Sequence, residues 1–179
     1  MTAEHAAHGF DVVVADEPLD SPFRDPDDGV RAGAPDCLLR VGAVQCAWNP
    51  DAPAMEATLR TGVAVAVAEG AEIVCLQELT RSPYFCVSPD EPDALARFGE
   101  PLESGPTVTL ARSLATEHNI AVHASLFERL LDEQVDVERG FNTAICVDAS
   151  GVLVARTRKT HIPEFEFYHE DVYFEPGDD

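Results

Sequence analysis

The stretch LLRVGAVQCAWNPDAPAMEATLRTGVAVAVAEGAEIVCLQEL, at residues 38–79, decides the fold of this protein. Its first part, Leu38–Trp48, is apolar and predicts a buried strand. Asn49-Pro50-Asp51 ends that strand and offers Asp51 as the cap of a helix over Ala54–Glu69, which Gly70 ends. Ile73–Leu76 predicts a second apolar strand. This strand–helix–strand order indicates an α/β fold.

The remainder of the chain continues the same alternation. Thr107–His118 has Leu110 and Leu114 four residues apart and predicts a second helix. Three further strands are expected at Ile120–Phe127, Phe141–Val147 and Val152–Arg158. The last two form a hairpin around the Asp148–Gly151 turn. Loops are expected at about 81–106 (rich in proline), at 131–140 (acidic) and at 159–179 (aromatic and acidic). The predicted class is therefore α/β, with a sheet covered on its faces.

The first 36 residues differ in composition from the rest. They contain nine acidic residues against two arginines, a net charge of −7, and four of the thirteen prolines. Only Val12–Ala15 has the pattern of a strand. We therefore expect residues 1–36 to be a mobile acidic tail, either solvated or acting as a partner-binding arm, and residues 37–179 to be one domain.

Composition excludes several classes of function. A net charge of −21 over 179 residues argues against binding to nucleic acid or to anionic membranes. The most apolar stretch, Gly62–Ala68, is too short to span a bilayer, and the N-terminus lacks the features of a secretory signal. The odd number of cysteines and the absence of CxxC argue against a disulfide framework. These features favour a cytoplasmic protein with reduced thiols.

Three charged residues stand directly after apolar strands. Glu78 closes EIVCLQE, Glu128 closes IAVHASLFE, and Lys159 closes VLVARTRK. Open α/β sheets place ligands in crevices at strand ends, and two carboxylates beside one ammonium there would perturb one another's proton affinities. Such a group could perform acid–base chemistry. The alternative is that each residue is an ordinary solvent-exposed strand terminus.

Four sequence segments, in this order along the chain, resemble the nitrilase superfamily of carbon–nitrogen hydrolases. They are VGAVQCAWNP, EIVCLQELTRSPYFC, ASLFER and GFNTAICVDASGVLVARTRKTHIP. The closing FYHEDVYFEPGD is similar to the loop of N-carbamoyl-amide hydrolases, namely N-carbamoylputrescine amidase and β-ureidopropionase. The resemblance covers about residues 38–179. It implies the N-terminal portion of the nitrilase αββα sandwich, in which two sheets pack face to face and subunits associate. Apolar surface is then expected where further strands would pair.

The resemblance also implies roles for individual residues. Glu78 matches the general base, Lys159 the catalytic lysine, and Glu128 a second glutamate that supports the lysine. The family's nucleophile is a cysteine in a Cys-Trp-Asp segment beyond the lysine loop, which these 179 residues do not reach. The residues assigned to substrate binding are Tyr84, His161 and Tyr168. Asn142 is expected to bond backbone rather than substrate.

The cysteines within the chain are not assigned as nucleophiles. Cys75 and Cys146 lie within strands and are expected to be small core residues. Cys86 lies on a loop and is expected to pack against aromatic side chains, because its surroundings show no cation that would favour a thiolate.

Several functions remain open at this point. The leading hypothesis is hydrolysis of an N-carbamoyl amide or another small amide or ureido substrate, with no metal or organic cofactor. The alternative is a catalytically inactive remnant, or an assembly partner of an intact homologue. A metal site is a weaker possibility, because no HExxH-like spacing links the histidines and acids near the C-terminus. These are His161, Glu164, Glu166, His169, Glu170 and Asp171.

Overall fold

The computed structural model describes residues 2–15, 39–130 and 139–178. Nine strands lie in these ranges: β1 (Thr2–Ala7), β2 (Phe10–Ala15), β3 (Val41–Val44), β4 (Ile73–Leu76), β5 (Ala121–Glu128), β6 (Phe141–Val147), β7 (Leu153–Arg158), β8 (Glu164–Phe165) and β9 (Tyr168–His169). The same ranges contain the helices α1 (Ala52–Ala68), α2 (Ala94–Phe98), α3 (Pro106–His118) and α4 (Glu170–Tyr173). A 3-10 turn covers Phe85–Val87.

A five-stranded sheet with the order β3-β4-β5-β6-β7 is the centre of the fold. The first three strands are parallel, and β6 and β7 each pair antiparallel with the strand before. Two antiparallel pairings in succession make β7 run in the same direction as β4 and β5. The ends of β4, β5 and β7 therefore lie along one edge of the sheet, where Glu128 is the last residue of β5 and Glu78 and Lys159 follow β4 and β7. The α/β prediction, including the hairpin, is confirmed.

Helix α1 begins where the sequence predicts. The Asp51 carboxylate accepts a hydrogen bond from the Ala54 amide at 2.8 Å, and Pro53 occupies the first turn, where its missing N–H costs nothing. Gly70, with φ of 88°, follows the end of the helix. Helix α1 also packs closely on β3, because a Cβ on Gly42 would lie 2.9 Å from the Ala66 Cβ.

Helix α3 receives its N-terminal cap from outside the helix. Gly105 at the cap position has no side chain that could accept a hydrogen bond from the first turn, and Glu100 takes over this role. The Glu100 carboxylate accepts hydrogen bonds from the Thr107 amide at 2.7 Å and the Thr107 hydroxyl at 2.8 Å. These bonds tie the proline-rich loop to the start of the helix.

The main core lies between one face of the central sheet and helices α1 and α3. Leu59, Val63 and Leu114 from the helices pack against Val74 and Val122 from the sheet, all at 0% exposure. Complete burial of side chains of this size stabilises the fold by about 1.5–3 kcal/mol each. A second cluster, around Phe85, Phe127 and Phe174, fixes the loops at the edge of the sheet where the charged residues lie.

The opposite face of the central sheet is covered near Glu78, where Ser125, Phe127 and Asn142 are buried, but described residues leave it more open towards the other end of the strands. Val41 is 56% exposed, Ala43 and Ala155 are exposed, and Cys75 and Cys146 are only partly buried. These residues share a face because Ala43 pairs with Cys75, and Cys75 is joined through His123 to Cys146 and Ala155 in one row across the sheet, with Val41 two residues before Ala43. This part of the face therefore carries exposed or partly exposed apolar side chains, whereas the expected apolar surface where further strands would pair stays a prediction.

Residues 2–15 contain more regular structure than the sequence suggested. They form an antiparallel hairpin, β1–β2, where only Val12–Ala15 was expected to be a strand. His8 and Gly9 both have positive φ, 50° and 86°, as a two-residue hairpin turn requires. Phe10 packs against the main core beside Gly62. The remainder of the expected acidic tail, residues 16–36, lies outside the described residues, as does most of the acidic loop, residues 131–138.

None of the helices in the described ranges has both the length and the apolar character needed to cross a lipid bilayer.

Candidate active site

Glu78 stands two residues beyond β4, at the edge of the sheet. The next residue, Leu79, has φ of 49° and is 1% exposed. A left-handed conformation costs a leucine about 1–3 kcal/mol, so the surrounding structure must hold this turn in place. It does so through Thr80, whose amide donates to the Ser125 carbonyl at 2.9 Å and whose hydroxyl accepts from the Ser125 amide at 3.0 Å.

Lys159 directly follows β7 and meets Glu78 across the sheet edge. Its Nζ lies 3.3 Å from Oε1 of Glu78, so the structure brings these two predicted residues together. The Glu78 side chain is 47% exposed, which leaves this carboxylate accessible from outside.

Glu170, at the start of α4, is the second carboxylate on Lys159. Lys159 Nζ donates to Oε1 and Oε2 of Glu170, both at 2.9 Å, and the Glu170 side chain is only 2% exposed. The Tyr84 hydroxyl donates to Oε1 of the same carboxylate at 2.6 Å. A buried carboxylate needs compensating partners, and here it has a cation and a phenol.

Glu128 does not contact Lys159, so its expected role as the support of the lysine is corrected. Its carboxylate accepts from Arg158 Nε at 2.9 Å and Nη2 at 2.6 Å, and from the Thr143 hydroxyl at 2.7 Å. Side chains alternate between the faces of a strand, so adjacent Arg158 and Lys159 point to opposite faces of the sheet. Glu128 lies on the face of Arg158, and Glu170 occupies the position that the resemblance assigned to Glu128.

The electrostatics of the site hold Lys159 in its charged form. Burial alone lowers the pKa of the lysine, but the hydrogen bond to Glu170 and the charges of Glu78 and Glu170 raise it by more. The net pKa of Lys159 lies above its ordinary value. Burial and the hydrogen bond to Glu170 also raise the pKa of the Tyr84 phenol, so this group remains a proton donor.

Asn142, the second residue of β6, was expected to bond backbone rather than substrate, but the bonds of its side chain to described residues go to the side chains of Glu78 and Ser125. Its backbone carbonyl accepts from the Lys159 amide at 2.9 Å, and its side-chain Nδ2 donates to Oε1 of Glu78 at 2.7 Å. Sequence reasoning missed this contact, and it also mentioned Glu170 only as a possible metal ligand. The available signal for Glu170 was an acidic residue set among aromatic residues, in FYHEDVYF, eleven residues after the chain's only lysine.

The three residues assigned to substrate binding differ in their placement. Tyr84 touches the ionic cluster through Glu170. Tyr168 is 49% exposed and packs edge-to-face on Tyr84, with 6.3 Å between ring centroids. His161 is exposed and its Nδ1 lies 3.0 Å from the Thr160 hydroxyl, with no contact to Lys159 among the bonds of the described residues.

Cys86 is a buried thiol beside the cluster and is 0% exposed. Burial, followed by the charges of Glu170 and Glu78, raises the pKa of Cys86 to about 12. A nucleophilic cysteine needs an accessible thiolate, so these surroundings disfavour Cys86 in that role.

Within the ranges that the structure describes, no three His, Cys, Asp or Glu side chains are grouped so that they could hold a metal ion. His169 and Asp171 are the sequence neighbours of Glu170, but Glu170 is already engaged by Lys159 and Tyr84.

Comparison with known proteins identifies the family of this chain. The carbon–nitrogen hydrolase family profile matches residues 40–179, and the chain belongs to this family. It is 32% identical over 141 residues to N-carbamoylputrescine amidase from Solanum lycopersicum, an alignment that covers 79% of this chain and 44% of that protein. It is 31% identical over 139 residues to citrullinase from Francisella tularensis, covering 78% and 46% respectively.

A solved structure of a related protein has a similar fold. The carbon–nitrogen hydrolase from Helicobacter pylori G27 superposes with a TM-score of 0.67 at 27% identity, covering 78% of this chain and 45% of that one. The resemblance to the nitrilase superfamily is therefore confirmed. The chain spans less than half the length of these curated relatives.

Proposed function

We propose that this chain carries the base and the oxyanion-stabilising cation of a hydrolase that splits N-carbamoyl amides. The observation that supports it most is the 3.3 Å contact between Lys159 Nζ and Oε1 of Glu78, two residues 81 positions apart in sequence. The contact between Lys159 and Glu170 also supports the proposal, because Glu170 neutralises part of the lysine charge while Glu78 stays accessible.

In the proposed reaction a cysteine thiol is the nucleophile and Glu78 removes its proton. The thiolate attacks the carbamoyl carbonyl, and the ammonium of Lys159 stabilises the oxyanion that forms. One well-placed donor of this kind contributes roughly 3–4 kcal/mol to the transition state. Collapse of the intermediate breaks the bond to the terminal amino group, which takes the proton held by Glu78 and leaves as ammonia, so that the carbamoyl group stays on sulfur as a thiocarbamate. Water, deprotonated by Glu78, then attacks this carbonyl, and the proton passes to the departing sulfur. The released carbamic acid decomposes to the amine and carbon dioxide.

The nucleophile in this proposal is a cysteine outside these 179 residues. Cys86 is the described cysteine whose thiol is influenced by both Glu78 and Lys159, yet its burial and raised pKa oppose thiolate formation. The Cys-Trp-Asp segment that the family resemblance implies would complete a Glu–Lys–Cys set around the accessible face of Glu78.

The proposed substrate class follows from the relatives. Their names point to N-carbamoylputrescine and citrulline, and both compounds carry a terminal ureido group. The net charge of −21 favours a cationic substrate over an anionic one, because long-range attraction raises the local concentration of cations.

Ammonia release tests this proposal. A form of the protein that includes the Cys-Trp-Asp segment should release ammonia from N-carbamoylputrescine, and Glu78→Gln and Lys159→Ala should each reduce kcat by at least about 100-fold. Matched controls are Glu103→Gln and Arg156→Ala, which change an exposed acid and an exposed cation. Absence of ammonia from every ureido compound offered would overturn the assignment.

A second candidate is a non-catalytic partner that assembles with a homologue. The observation that favours it is the part of the central sheet that the described residues leave exposed, where Val41 is 56% exposed. Under this candidate the 179-residue chain forms a stable complex with an intact homologue, and Glu78→Gln changes neither its assembly nor any turnover. A chain that stays monomeric in the presence of the homologue, measured by sedimentation, would remove this candidate.

A further inference from the structure

Asn142 touches both halves of the ionic contact between Glu78 and Lys159. Its side-chain Nδ2 donates to Oε1 of Glu78 at 2.7 Å, and its backbone carbonyl accepts from the Lys159 amide at 2.9 Å. Asn142 is 5% exposed, so water cannot easily replace either bond. A single buried residue therefore links the end of β4 to the end of β7.

The orientation of the Asn142 amide is determined by Ser125 on the neighbouring strand. The Ser125 hydroxyl donates to Oδ1 of Asn142 at 3.3 Å, and the same hydroxyl accepts from the Leu79 amide at 3.2 Å. Because Oδ1 faces a hydroxyl proton, the two N–H donors must face the other way, towards Glu78. The chain of bonds thus begins and ends on neighbouring residues, Leu79 and Glu78.

This arrangement makes the two oxygens of Glu78 unequal. Oε1 accepts from both Asn142 and Lys159, whereas none of the described residues donates to Oε2. The unengaged oxygen belongs to a side chain that is 47% exposed. We propose that Asn142 is a positioning residue that holds Glu78 against Lys159 and leaves Oε2 as the oxygen that accepts the proton. This inference rests on the proposed function for its chemical meaning, but the contact it describes can be tested without catalysis.

The test uses the only lysine in the 179-residue chain. Lysine labelled with ¹³C at Cε gives one side-chain signal, and its pH titration reports the pKa of Lys159 directly. The negative charge of Glu78 is one of the interactions that raise this pKa. If Asn142 holds Glu78 in place, Asn142→Leu lets the carboxylate move away into solvent, and the Lys159 titration shifts to lower pH.

A matched control lies at the next position. Thr143 is also buried on β6 and also donates to a carboxylate, but its partner is Glu128 on the other face of the sheet. Thr143→Val should leave the Lys159 titration where it is in the unchanged protein. In a Glu78→Gln background, Asn142→Leu should cause no further shift, because the carboxylate through which it acts is gone.

The outcomes are decisive in either direction. The inference is overturned if Asn142→Leu leaves the titration unchanged, if Thr143→Val shifts it equally, or if the shift persists in the Glu78→Gln background. Should Asn142→Leu fail to fold, Ser125→Ala replaces it. We then expect a smaller shift of the Lys159 titration, again to lower pH, and an unchanged titration would count against the inference. Failure of the ammonia assay alone would affect the proposed reaction and not this contact.

Discussion

The ammonium of Lys159 lies 2.9 Å from each carboxylate oxygen of Glu170, which is almost completely buried. The lysine itself is one-third exposed and also reaches Glu78, so it connects the interior of the protein with the accessible carboxylate. The same cation therefore serves stability, through Glu170, and the proposed chemistry, through Glu78.

Removal of Lys159 should destabilise the fold. Lys159→Met leaves the buried Glu170 carboxylate with Tyr84 as its remaining hydrogen-bond partner among those described, and breaking a buried ion pair in this way costs about 3 kcal/mol. Urea denaturation followed by circular dichroism measures the loss. The double variant Lys159→Met/Glu170→Gln should recover most of it, because no uncompensated charge remains. Equal stability of the single and double variants would contradict this account.

The contribution of Lys159 should disappear at high pH. Its folded-state pKa is raised, so the stabilisation is fully present below the unfolded value of about 10.4 and is lost as pH rises through the folded pKa. The difference in unfolding free energy between the unchanged protein and Lys159→Met should be constant from pH 8 to about pH 10 and should shrink above it. A difference that stays constant to pH 12 would show that the charge of Lys159 is not involved.

The ion pair between Glu128 and Arg158 should be a structural element independent of the site. Glu128 is 3% exposed, so Arg158→Met leaves it without its cation and should cost about 3 kcal/mol. Arg156→Met, two residues away on the same strand and exposed, removes a smaller charge interaction with Glu128 and should change stability by less than about 0.5 kcal/mol. Thermal unfolding of the two variants separates these outcomes, and a similar loss in both would refute the role of the pair.

Acid should weaken this ion pair. Burial alone raises the pKa of Glu128, but the hydrogen bonds from Arg158 and Thr143 lower it by more, so the net pKa lies below the ordinary value. Its stabilisation is therefore present above the unfolded value of about 4.3 and is lost as pH falls through the folded pKa. The stability difference between the unchanged protein and Glu128→Gln should shrink below pH 4.3 and be level above pH 5.

Cys86 should be unreactive in the folded protein. Its thiol is fully buried and its pKa is raised to about 12, so iodoacetamide at pH 8 should modify the partly buried Cys46 and Cys146 at least tenfold faster. Peptide mass spectrometry measures each rate, and the difference should vanish in urea. Rapid alkylation of Cys86 in the folded state would reopen its candidacy as a nucleophile.

The local elements of this protein follow from its sequence. The cap at Asp51, the apolar run Ile73–Leu76 and the turn before Val152 each depend on neighbouring residues, and the structure has each element within a few residues of its expected position. The hairpin at residues 2–15 was missed because its turn, His8-Gly9, is recognisable only when positive φ is considered at both residues. The proximity of Glu78 and Lys159 was expected, because each residue comes after a strand whose carboxyl end lies at the same edge of the sheet.

The partners of these residues were decided by the tertiary structure alone. Whether Glu128 or Glu170 reaches Lys159 depends on which face of the sheet each side chain occupies, and a shift of one residue in strand register would reverse the answer. The bond from Asn142 to Glu78 depends in the same way on strands 64 residues apart in the chain. Composition and local pattern carry no information about such distances, because they arise only when strands pair and the alternation of side chains becomes a fixed arrangement in space.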